Sequence, residues 1–89
     1  MTSDDFLEDD ATLEAIAEVE HGRWAHWQRY LHQQCTRLED GSLVIPAALV
    51  ERWERLVDTD YADLTKDERA SDREQAGAYV SVLRNLRAR

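Results

Sequence analysis

An all-α fold of three helices is what this 89-residue chain predicts, and three observations predict it. Apolar residues recur at helical spacing through the first half. A proline and a capping-box sequence open two later helical segments. No run of alternating polar and apolar residues marks a sheet. The length allows one small, compact domain with a modest core. Residues 1–10 read as an acidic flexible leader, and 11–89 as the single helical domain.

Each element follows from its own signal. Leu13, Ile16, Ala17, Trp24, Trp27 and Leu31 fall at helical spacing, so residues 11–35 read as one long amphipathic helix with Trp24 and Trp27 on a shared face. The segment "LEDGSLVIP" interrupts it: Asp40-Gly41 is a turn signal, and Ser42 to Ile45 is a short extended run stopped by Pro46. Proline suits a first helical turn, and Leu49, Trp53 and Leu56 or Val57 then form the stripe of a second helix over 46–57. "DTDYADL" reads as an irregular link. Thr65 with Glu68 makes a capping box opening a third helix over 66–86, with Ala76, Tyr79, Val80, Leu83 and Leu86 facing inward. At most a two-stranded fragment is expected, at 42–45.

Charge narrows the function. The net charge is −8, and all of that excess lies in the first twenty residues, where eight acids meet no Lys or Arg. Duplex binding rests on basic side chains neutralising phosphates, so nucleic acid is not the expected partner. No signal-peptide pattern or long apolar run occurs, which points to a cytoplasmic protein without a membrane partner. Cys35, the one cysteine, lacks the base and orienting group of a nucleophile and reads as an inert thiol. His21, His26 and His32 are spaced by five and six, which scatters them round a helix, so no metal site or cofactor is expected. With no triad order and no phosphate-cradling glycine loop, the chain does not read as an enzyme and no catalytic residue is assigned.

The run "TKDERASDRE" places like charges one turn apart, Glu68 with Asp72 and Arg69 with Arg73. Such pairs repel on a helix. They make sense where Arg69 and Arg73 together face an anion, or reach the acids of the first helix; an ordinary solvated first turn explains them as well.

"AEVEHGRW", followed after a proline-containing connection by "DYADLTKDERASDREQAGAYVSVLRNL", resembles the RyR domain, the small helical module of ryanodine receptors that also stands alone in bacterial and phage proteins. The family's His-x-x-Trp is matched by His21 and Trp24, and its Tyr-x-x-Leu and charged run by Tyr61, Leu64, Arg69, Asp72 and Arg73. The likeness covers roughly residues 15–86. Two features depart from it: "CTRLEDGSLVIP" replaces the family's glycine- and tyrosine-bearing loop, and Asp60 stands where the family has proline.

The resemblance implies a small-molecule binding module, a sensor or a phage anti-defence sponge for a nucleotide-derived signal such as an ADP-ribose derivative or a cyclic nucleotide. Trp24 would stack the base and Arg69 and Arg73 would fork the phosphates, with His21 and Tyr61 completing the ligand site. The residues leave another reading open, a protein–protein interaction module docking through its aromatic helical face. Trp53 and Trp27 read as core, and Trp24 equally as core or ligand surface. Three tryptophans and three tyrosines exceed what so small a core encloses, and the receptor modules work as pairs, so a homo-oligomer is expected.

Overall fold

The computed structural model describes residues 5–88. Within them the chain is all-α: three helices, α1 (Asp10–Gln34), α2 (Ala47–Val57) and α3 (Lys66–Arg87), with a two-stranded antiparallel ribbon between the first two, β1 (Thr36–Arg37) and β2 (Leu43–Val44). Each helix boundary lies within a residue of the sequence expectation. Residues 1–4 of the acidic leader and the terminal Arg89 lie outside the described residues.

Local chemistry sets the ends. The Thr65 hydroxyl accepts from the Glu68 amide at 3.2 Å while the Glu68 carboxylate accepts from the Thr65 amide at 2.9 Å, the reciprocal box expected from the sequence. Pro46 sits at the N-cap of α2, one position earlier than a first-turn proline, and its carbonyl takes the first amides of the helix. The Asp40-Gly41 turn is confirmed: Gly41 has φ +90°, open to glycine at little cost, and the Ser42 amide donates to the Asp40 carboxylate at 2.9 Å. The extended run 42–45 finds its partner in Thr36–Arg37, with Thr36 opposite Val44 and Arg37 opposite Leu43.

Before α1, Asp5–Glu8 forms a 3-10 turn, and the Thr12 hydroxyl donates to the Phe6 carbonyl. That part of the leader is bonded back onto the helix. A second 3-10 turn, Tyr61–Asp63, links α2 to α3.

α1 and α3 pack against each other. Arg23 on α1 donates to the Tyr79 hydroxyl at 3.0 Å and to Gln75 at 3.4 Å, its guanidinium 5.4 Å from the Tyr79 ring centre, and Tyr79 in turn donates to Glu20. α2 is tied in by Trp53, whose ring meets Trp27 edge-on at 5.5 Å, and by an ion pair between Arg55 and Glu68 at 2.7 Å. Tyr79, Leu83 and Leu86 are half-buried as expected of an inner face, whereas Ala76 and Val80 are exposed. The molecule measures 56 × 35 × 16 Å, and no described apolar side chain is fully buried. No helix is long and apolar enough to cross a membrane among the described residues.

Candidate functional site

The three helices enclose an open groove of about 530 Å³. α1 contributes Arg23, His26, Trp27 and Tyr30, a cation and two large rings at i, i+4 and i+7 along one face. α2 contributes Arg52 and Leu56, and the first half of α3 supplies Asp67, Glu68, Ser71, Asp72 and Gln75. Trp27 is held from two sides, by Tyr30 at 5.5 Å and by the edge of Trp53. The residue is 43% exposed and lines the groove.

The polar lining is sorted by element. Arginines line it from α1 and α2, the Arg23 guanidinium engaged with Tyr79 and Gln75, and carboxylates and a hydroxyl line it from α3. Glu68 is engaged: its bond with Arg55 and the Thr65 amide hold its carboxyl down at about 2, so it is ionised at neutral pH. The wall therefore offers a flat aromatic surface, fork-shaped donors on one side and acceptors on the other.

The five ligand residues expected from the sequence lie elsewhere, in two groups. His21 and Trp24 stack on each other on α1, ring centres 5.9 Å apart, with Trp24 56% exposed. Trp24 is one residue on from Arg23 and so about 100° round the helix from it. Tyr61 opens the 3-10 turn before α3, and Arg69 and Arg73 lie in the first turns of that helix. Arg69 donates to the carbonyls of Ala62 and Leu64 at 3.1 and 3.0 Å, so this guanidinium ties the Tyr61–Asp63 turn to the helix. Arg73 and Tyr61 are exposed. None of the five lines the groove.

Sequence reasoning missed Arg23, His26, Tyr30 and Arg52 as groove residues. The usable signal was Arg23-x-x-x-Trp27-x-x-Tyr30, a cation and two rings on one helical stripe. Trp27, read as core from its spacing, is instead a half-supported wall. Comparisons with protein families, curated proteins and solved structures found no match to the chain.

Proposed function

We propose that the protein is a non-enzymatic cytoplasmic binding module whose groove takes a planar, phosphate-bearing small molecule, a nucleotide-derived signal of the ADP-ribose or cyclic-nucleotide class. The observation that carries it is the conjunction in one groove of Trp27 and Tyr30 with Arg52, flanked by Arg23, whose guanidinium is held by Tyr79 and Gln75. A volume near 530 Å³ falls in the range of small-ligand sites, roughly 300–1000 Å³. Stacking of a base on an aromatic ring contributes on the order of 1–3 kcal/mol, and guanidinium matches phosphate with paired donors. Asp67, Asp72 and Ser71 are placed to accept from ribose hydroxyls or an exocyclic amine. The RyR resemblance of residues 15–86 implies the same ligand class, but through His21, Trp24, Tyr61, Arg69 and Arg73, which lie outside the groove. In a cell such a module would sense the signal; encoded by a phage, it would sequester it.

The test is calorimetric titration of the whole chain with ADP-ribose, its cyclic forms and cyclic mono- and dinucleotides. Arg52→Ala and Trp27→Ala should each weaken binding about tenfold, and Trp24→Ala should leave it unchanged. Loss of binding in Trp24→Ala and Arg73→Ala with full retention in Arg52→Ala would place the ligand on the His21, Trp24, Tyr61, Arg69 and Arg73 set. No heat with any nucleotide at millimolar concentration overturns the reading.

A further inference from the structure

The chain leaves its apolar surface uncovered. Only Thr12, at 3% exposure, is buried among the described residues. The accessible area is 7500 Å², where a compact monomer of 10.3 kDa shows about 5400 Å². Giving the five undescribed residues the area of a fully extended chain, roughly 800 Å², still leaves a surplus above about 1000 Å². The radius of gyration is 17.6 Å, against about 12 Å for a compact chain of this length. An obligate homodimer hides about 1000 Å² or more on each copy. The surplus is the area of one such interface.

The uncovered face runs along α1. Leu13, Ala17, His21, Trp24, Leu31 and Cys35 recur at intervals of three, four and seven, a seam of the kind that packs helix on helix. Leu13 is 65% and Trp24 56% exposed. α3 takes the neighbouring flank, through Glu20 and Arg23, and leaves Leu13, Ala17, His21 and Trp24 exposed, while Leu31 and Cys35 at the far end of the stripe are half-buried.

We propose that the stripe is a homodimer seam, in which α1 packs antiparallel against α1 of a second copy about a two-fold axis near residue 22. Charge sets the orientation. Between Asp10 and Glu20 the helix carries four acids and no base; from His21 to Gln34 it carries Arg23, Arg29 and three histidines and no acid. Parallel pairing lays acid on acid, and antiparallel pairing lays each acidic half on a basic one. The change of sign falls at the midpoint of Asp10–Gln34, so both helices are covered along their full length. Leu13 then faces Leu31 of the partner subunit, and the two Trp24 rings meet beside the axis, the isologous arrangement that two-fold symmetry requires. This is the docking reading of the aromatic face with its partner fixed as a second copy, and it stands apart from the groove's ligand.

Sedimentation equilibrium of the whole chain tests it. The wild type should be dimeric at tens of micromolar, and Leu13→Glu and Trp24→Glu, both at exposed positions, should weaken association at least tenfold while the helical signal persists. Orientation is read without disturbing the seam. Asp9→Cys places a thiol opposite the partner's Cys35, so mild oxidation should give a covalent dimer. Within one chain the two positions are ~39 Å apart along the helix and cannot bridge. In the unsubstituted protein the two Cys35 thiols lie at opposite ends of the seam and should stay reduced. Ready disulfide formation by the wild type, or failure of a dimeric Asp9→Cys chain to cross-link, overturns the antiparallel arrangement. A strict monomer at about 200 µM overturns the dimer, and one that still binds nucleotide leaves the groove reading standing.

Discussion

At the first turn of α3 one carboxylate does two structural tasks. Glu68 accepts from Arg55 on α2 and from the Thr65 amide, so it caps its own helix and anchors the neighbouring one. The Arg55 bond is the larger cause of its low pKa, about 2, with the Thr65 amide next. An unfolded glutamate titrates near 4.3. Because the folded value is the lower, the contribution is complete above about pH 5 and fades as pH falls through 4 towards 2. Urea midpoints of the wild type and Glu68→Gln should therefore differ at pH 7 and converge by about pH 2. A gap that stays constant with pH would show that the charged form has no special role. The Asp40 carboxylate is also lowered, by its bonds with Ser42, but it holds only the tip of the ribbon turn.

Elements explain what Arg69 does. Its guanidinium bridges from α3 to two carbonyls of the preceding 3-10 turn, which carries no side-chain cap of its own. Arg69→Met should lower stability by roughly 1–2 kcal/mol, because charge-assisted bonds are each worth about 1.5–3 kcal/mol and this pair is partly solvated. A urea midpoint unchanged from wild type would instead free Arg69 for an anion. The elements themselves were legible because their signals are local: the Thr65–Glu68 box, Pro46 and Asp40-Gly41 each act within four residues. The partner strand Thr36–Arg37 was not, since two exposed residues with no alternation carry no strand signal of their own. The groove was not legible for a different reason. Arg23, Arg52 and Asp72 meet only through the way three helices cross, which no local spacing dictates. Trp24 and Trp27 lie within one turn on α1, yet one stacks on His21 and the other wedges against Trp53, a division decided by where α2 docks.

For the whole molecule, the sequence expectation that so many aromatic rings outrun a small core agrees with the absence of any fully buried apolar side chain among the described residues. Such a chain depends for stability on whatever covers its faces. If a second copy covers α1, folding and association are one equilibrium, and mass action enters the melting temperature. Unfolding 89 residues absorbs about 60 kcal/mol per chain near 60 °C, hence about 120 kcal/mol per dimer. A van't Hoff treatment then moves Tm upward by roughly 4 °C for each tenfold rise in protein concentration. A monomer shows no such shift. Scanning calorimetry at about 10 and 100 µM should find the wild type displaced by that amount, and Trp24→Glu melting lower at both concentrations. A wild-type Tm independent of concentration would mean that the helices hold together through the Trp27–Trp53 contact, the Arg23–Tyr79 bond and the Arg55–Glu68 pair alone.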